Sequence, residues 1–288
     1  MNFFIFVKRM IFVSLSRWFS PDSRENFMIS TATTREVSKN LQAVIETPGF
    51  AVQALDVIQQ VSTSSDASDA LEVLHAAKAV LGADQAVFVS FIRDDDSHES
   101  FRFLLAADPA WCLKYQQHGW FANDAWLLYA ATQSEPVPDT AIPLRTKSQR
   151  EARSLARDYG VSSAYIVPAP ASGGLSRLGV LVLGSDQAGY FNGPAIRSIK
   201  VLARSLAMEL HEWWVRQIRS EIITTNRIST DDLQLLTWER QGMGTKEIAD
   251  ALGTSNSSVD SRFQRLNAKM NMPSRKATAR VAAEYGLI

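Results

Sequence analysis

From Thr34 to Gly82 the apolar positions recur at helical intervals, with Val52, Leu55, Ile58 and Val61 in one stripe. Leu71, Leu74, Val80 and Leu81 form a second stripe, which opens at an Asp-Ala-Ser-Asp cap and stops at Gly82. The rhythm then changes. Ala86 to Ile92 is a continuous apolar run of strand length, and Phe101, Phe103 and Leu105 alternate with Arg102 and Leu104, so the pair predicts a hairpin. The acidic stretch Asp94 to Ser97 between them suits a solvated turn, since it has no partner ligands for a metal. Trp111 to Ala131 and Lys147 to Tyr159 return to helical spacing, and Gly160 caps the latter. Strands are predicted at Ala164 to Val167 and Leu178 to Leu183, joined through Gly173-Gly174. A long helix follows from Pro194 to Arg219, with Ile196, Ile199, Leu202, Leu206, Leu210 and Trp213 on one side.

The last sixty residues carry a tighter pattern. Asp231 to Gln241 has an apolar face of Leu235, Leu236 and Trp238, a serine N-cap and two aspartates in its first turn. Thr245 to Leu252 places Ile248, Ala249 and Leu252 on one face and ends at Gly253. The next helix opens on the polar cluster Ser255 to Ser258, spaces Val259, Phe263, Leu266 and Met270 by four, three and four, and closes before Pro273. Arg275 to Tyr285 packs Ala279, Val281 and Ala282 inward. Two short helices, a tight turn and a helix led by small polar residues suit a helix-turn-helix, whose second helix enters the major groove by its N-terminal end. An ordinary three-helix bundle has the same apolar spacing.

This segment, 228–288, resembles the DNA-binding domain of LuxR-type transcription regulators. The resemblance rests on TKEIADALGTSNSSV, on Leu236 and Gly242, and on the terminal EYGLI. Asp232 stands where the family has glutamate, and Asp260 follows Val259 where basic or neutral residues are usual. The polar side of the third helix makes Arg262, Arg265 and Lys269 the expected DNA contacts, with Ser257, Ser258, Asp260 and Ser261 as candidates for base edges.

Charge adds a constraint. The chain has 30 basic and 30 acidic residues among 288, so it offers no general attraction to nucleic acid. The terminal segment holds eight Lys/Arg against seven Asp/Glu. DNA binding must therefore come from local placement and from pairing two chains. One cysteine, Cys112, excludes an internal disulfide and suits a reducing cytoplasm. Near the N-terminus Phe3 to Val7 and Met10 to Leu15 are apolar, each far short of the roughly 20 residues of a membrane span. That stretch suits a membrane-surface segment or an over-extended start ahead of Met28.

The N-terminal part shows no catalytic constellation: His75, His98, His118 and His211 are scattered, and Gly173-Gly174 lacks the helix and lysine of a nucleotide loop. No cofactor, metal or enzymatic activity is expected. Strands and helices do not alternate as a phosphoacceptor domain requires. What remains is an aromatic helix in which Trp111, Tyr115 and Asp124 are interleaved with Trp120, Phe121, Trp126 and Tyr129. The cluster suits a small-molecule pocket, though the spacing by itself favours a core packed on the sheet.

The element order is similar to the autoinducer-binding domain that precedes this helix-turn-helix in LuxR-type regulators. In acyl-homoserine-lactone receptors a tryptophan, a tyrosine and an aspartate at this spacing hydrogen-bond the lactone carbonyl, the acyl carbonyl and the amide nitrogen. Trp111, Tyr115 and Asp124 match them, and Trp126 and Ala164 join them as candidate ligand contacts. The family's proline after the aspartate is Ala125, its later tryptophan is missing with Asp139 near that place, and a glycine is replaced by Ala164. If Asp139 points inward it favours a basic or hydroxylated group, and Ala164 narrows the site by a methyl.

The expected fold is α+β: an N-terminal α/β/α sandwich with a small antiparallel sheet, then an all-α helix-turn-helix domain. Residues 1–33 form an extension, 34–219 the sensor, 220–227 a linker and 228–288 the DNA-binding domain. The resemblance implies a cytoplasmic homodimeric transcription regulator of quorum-sensing type. Its partners would be promoter DNA, RNA polymerase and an amide-bearing signal other than a standard acyl-homoserine lactone. The alternatives are a ligand-independent regulator and a small-molecule-binding protein that acts through protein contacts.

Overall fold

The computed structural model describes residues 40–93, 100–170 and 176–288. The extension at 1–33, the alternative start at Met28, the Asp94–Ser97 turn and the Gly173-Gly174 turn lie outside them. Among the described residues the chain divides into two compact units, one of residues up to 170 with 178–213, the other of 176–177 with 214–288.

The first unit opens with helices α1 (Leu41–Ile45), α2 (Phe50–Gln59) and α3 (Ala67–Val80). Asp66 caps α3 by accepting from the backbone of Ser68 and Asp69. The α2 stripe differs from the expected one. Phe50, Ala54, Ile58 and Val61 are buried, while Val52 and Leu55 are 63% and 44% exposed. The i, i+4 row through Phe50 is the one that meets α3, and the row one position away is left outside.

Strands β1 (Gln85–Ile92) and β2 (Arg102–Ala106) form the predicted hairpin, pairing antiparallel with Phe88 opposite Leu104. Helices α4 (Pro109–Gln117), α5 (Ala125–Thr132) and α6 (Lys147–Asp158) follow, with the two-residue strand β3 (Val137–Pro138) before α6. Strands β4 (Ser163–Ala169) and β5 (Arg177–Ser185) complete a five-stranded antiparallel sheet of order β2-β1-β5-β4-β3. The sheet thus has one strand beyond the four predicted, because a two-residue edge strand containing proline carries no periodic signal. Successive side chains point to opposite faces. Val87, Val89, Phe103, Leu105 and Val182 share one face, and the alternate residues Phe88, Leu104, Leu181 and Leu183 are buried on the other.

Two helical readings are corrected. Trp111 to Ala131 is not one helix: α4 ends near Gly119, whose φ of 62° is left-handed, and a 3-10 turn spans Trp120–Asn123 before Asp124 starts α5. The long helix α7 (Ile196–Thr225) continues through most of the expected linker. Ile218 and Ile222 are buried, four residues apart, so the apolar row persists past Arg219 and ends only at the positive φ of Arg227.

The second unit contains α8 (Thr230–Arg240), α9 (Thr245–Leu252), α10 (Asn256–Lys269) and α11 (Arg275–Glu284). Ser229 and Asp232 close a capping box on α8. Gly253 turns the chain between α9 and α10 at φ 61°, and Ser255 and Ser274 cap α10 and α11. Leu235, Ile248, Ala249, Val259 and Phe263 form the core. On α11 Thr278, Ala279 and Ala282 are buried and Val281 is only part-buried, so the buried face lies one residue from the expected Val281.

Candidate functional sites

The break between α4 and α5 shapes the first site. Because the chain turns at Gly119 and restarts at Asp124, residues from α4 and from the start of α5 face one another over the sheet. Trp111, Cys112 and Tyr115 of α4, Phe121 of the turn, and Asp124 and Trp126 line a cavity. The sheet residues Val87, Val89, Phe103, Leu105 and Val182 form its floor, and α6 closes its side with Gln149, Ala152, Arg153 and Ala156. The empty space amounts to about 720 Å³, mouth included. The structure therefore brings together four of the five candidate ligand contacts. The fifth, Ala164, is fully buried in β4 and is not among the lining residues.

Polar groups gather at one end. Asp124 is 8% exposed, and its Oδ1 accepts from the backbone of Trp126 at 2.7 Å and Leu127 at 3.0 Å, which caps α5. Burial raises the Asp124 pKa, and hydrogen bonds from Leu127, Tyr115 and Trp126 offset part of that rise. The Tyr115 hydroxyl is pushed well above its usual range, first by burial and then by the neighbouring Asp124 charge. Its ring meets Phe121 edge-on at 4.7 Å, which fixes where the hydroxyl points. Trp111 is 8% exposed, and its indole Nε1–H has no hydrogen-bond partner among the described residues. A buried donor left in that state costs roughly 1–3 kcal/mol. Cys112 is also lining, but burial pushes its thiol up to about 11, so it stays protonated.

The wall beside Trp126 holds a charge that sequence reading missed. Arg153 stands over the Trp126 ring at 5.7 Å and is 6% exposed. Its guanidinium pairs with Asp139 Oδ2 at 2.7 and 2.8 Å and donates to the carbonyls of Val161 at 2.6 Å and Ser162 at 2.8 Å. Asp139 Oδ1 accepts from the Ala164 backbone at 2.9 Å. Asp139 thus commits both oxygens to Arg153 and β4 and is not itself a lining residue. Gln149, Ala152, Arg153 and Ala156 recur at helical spacing, which marks the inward row of α6 but not that its arginine is buried.

The second site is the exposed side of α10. Ser257, Asp260, Ser261 and Arg265 are exposed, and Ser258 and Arg262 are part-buried. The Ser258 backbone donates to the capping Ser255 hydroxyl at 3.2 Å. Lys269 is engaged within the unit: its Nζ donates to Asp232 Oδ2 and to the Arg227 carbonyl at 3.0 Å. Burial works against the Asp232 charge, yet hydrogen bonds from Lys269 and Ser229 outweigh it and hold the carboxyl below its usual range. Arg275 pairs with Glu239 at 2.9 Å, donates to the Thr245 hydroxyl at 2.9 Å and lies 5.4 Å from the Phe263 ring. No metal-binding cluster and no helix long and apolar enough to cross a membrane occur among the described residues.

Residues 66–212 match the family model described as the autoinducer binding domain, and residues 227–282 match that of bacterial regulatory proteins, luxR family. No curated protein sequence matches the chain. Among solved structures, Escherichia coli SdiA is similar with a TM-score of 0.65 and 18% identity, over 83% of this chain and 99% of that one. SdiA in complex with octanoyl-rac-glycerol gives a TM-score of 0.64 at 18% identity, over 83% and 96%. The N-acylhomoserine lactone dependent LuxR family factor CepR2 from Burkholderia cenocepacia gives 0.50 at 18% identity, over 59% and 97%.

Proposed function

Since this chain belongs to the LuxR family of bacterial transcription regulators and carries an autoinducer-binding domain, we propose that it is a homodimeric promoter-binding regulator. Its signal is a small amide-bearing molecule other than a standard acyl-homoserine lactone. The observation that carries the ligand reading is a mostly apolar cavity lined by Trp111, whose buried Nε1–H has no partner among the described residues, and by the hydrogen-bonded Asp124 and Tyr115. A ligand carbonyl satisfies the indole and a ligand N–H meets the carboxylate, which offsets the desolvation of both. The family's later tryptophan is absent, and Asp139, near its place in sequence, is taken up by Arg153, so a lactone ring loses the flat surface it would pack on. SdiA in complex with octanoyl-rac-glycerol holds an acyl ester without a lactone, which bears on the lactone and not on the amide.

Regulation runs through DNA. Arg262 and Arg265 present their charge from α10, with Ser257, Ser258, Asp260 and Ser261 available to base edges. Lys269 reaches phosphate only by giving up Asp232. One domain with so little net charge binds weakly, so two copies are needed, and RNA polymerase is the expected partner at the promoter. The chain acts in the cytoplasm.

The test is mass spectrometry of small molecules extracted from protein purified from its native host, followed by a reporter titration with the compound found. An amide recovered in stoichiometric amount, with a response lost in Asp124→Asn, is the expected result. Full promoter binding by protein that carries nothing would favour a ligand-independent regulator. A strong response to a standard lactone would overturn the ligand class.

A further inference from the structure

Hydrogen-bond capacity at the polar end of the cavity is unbalanced. Asp124 Oδ1 is taken up by the α5 cap, which leaves its second oxygen as the acceptor toward the ligand and Tyr115. Donors are in surplus. The Trp111 N–H is unpartnered. An arginine carries five N–H groups. Those of Arg153 are occupied by Asp139, Val161 and Ser162 except for one on Nη1. Gln149 Nε2 donates once, to Asn123 Oδ1 at 3.3 Å, and has a second hydrogen to give. Gln149 Oε1 is taken by the backbone of Arg145 and Thr146 at the start of α6. Gln149 and Arg153 are four residues apart on one face of α6, both 6% exposed and both lining the cavity. Their neighbours flank Asp124 in sequence: Gln149 bonds Asn123, and Arg153 lies over the Trp126 ring.

We propose that Gln149 and Arg153 form a third polar subsite, which binds an uncharged oxygen acceptor on the head of the ligand beyond the carbonyls and N–H met by Trp111, Tyr115 and Asp124. The inference rests on the amide-signal reading above and narrows it to a class: linear N-acyl amides whose head carries an additional carbonyl. Charge decides between neutral and anionic acceptors. Arg153 is already neutralised by Asp139, and Asp124 is the remaining charge at this end. A carboxylate on the ligand therefore meets repulsion, with no free cation among the described lining residues to offset it.

Three probes of nearly equal size separate the possibilities: N-octanoyl-leucine methyl ester, N-octanoyl-asparagine methyl ester and N-octanoyl-aspartate α-methyl ester. Affinities are measured by calorimetry on the full chain. The asparagine probe is expected to bind about tenfold tighter than either of the others, the scale of one well-placed buried hydrogen bond. Arg153→Lys keeps the charge opposite Asp139 but removes the fork, and it should shrink the asparagine-to-leucine ratio. A purely structural role would lower all three affinities together and leave the ratio intact. Equal binding of the asparagine and leucine probes by the native protein overturns the third subsite while the amide reading stands. Tightest binding of the aspartate probe overturns the uncharged class. No binding of any probe overturns the amide reading and this inference with it.

Discussion

Asp124 serves two ends of the chemistry at once, and substitutions can part them. Its Oδ1 caps α5 while the carboxylate faces the cavity. Asp124→Ala removes both and should cost about 1 kcal/mol of stability from the cap alone. Asp124→Asn keeps an oxygen for the two backbone N–H groups, so its stability near neutral pH should equal or exceed that of the native chain. The signal response of Asp124→Asn should still fall by about tenfold or more, because a charge-assisted bond is lost. Urea melts and a reporter titration read the two effects separately. The sign of the pH dependence follows from burial. The folded Asp124 holds its proton above the ordinary value of 3.8, so the folded state binds more protons than the unfolded one and stability falls as pH rises through that range. The difference in urea stability between Asp124→Asn and the native chain should grow with pH above that value. A constant difference would show that the carboxyl is not strained by burial.

At the scale of elements, periodicity disclosed most helices, because Ile199, Leu202, Leu206 and Leu210 can face inward only in a helix. It failed where short-range chemistry decides. Gly119 and the Asp124 cap cut an aromatic run that looks continuous by spacing, and that cut opens the cavity. Trp111, Tyr115 and Asp124 were legible through a family resemblance, whereas Arg153 was hidden. A charged residue on a polar helix gives no sign of being buried until its partners Asp139, Val161 and Ser162, from other elements, are in place. In α10 the structure divides two residues that sequence treats alike. Arg265 is exposed, while Lys269 is bound to Asp232 on α8. Arg265→Ala should weaken promoter binding uniformly across sequences and lower the salt slope by about one. Lys269→Ala should lower the melting temperature of the unit as well. Unchanged affinity of Arg265→Ala at two salt concentrations would remove it from the interface.

For the whole molecule, self-association is the expected condition of activity. On α7 Ile199, Leu202, Leu206 and Leu210 are buried, and Val201 stands 68% exposed, where a partner chain could cover it. Val201→Asp should shift sedimentation toward the monomer and lower promoter affinity together. A native chain that sediments as a monomer yet holds one site tightly would end the dimer proposal. The indole of Trp111 has a different consequence at this scale, because no described protein group accepts from its buried Nε1–H. A signal that completes the bond binds only the folded chain, and at a hundred times its dissociation constant it adds about 2.7 kcal/mol against unfolding. On the proposed reading, occupancy should be converted into lifetime: filled molecules should open less often to proteases, and abundance in the cell should track the signal before any promoter is touched. Trp111→Phe removes the donor that a ligand carbonyl would meet, so it should gain less stability than the native chain when the signal is added. A native protein whose turnover in cells is the same with and without signal would break that link between folding and sensing.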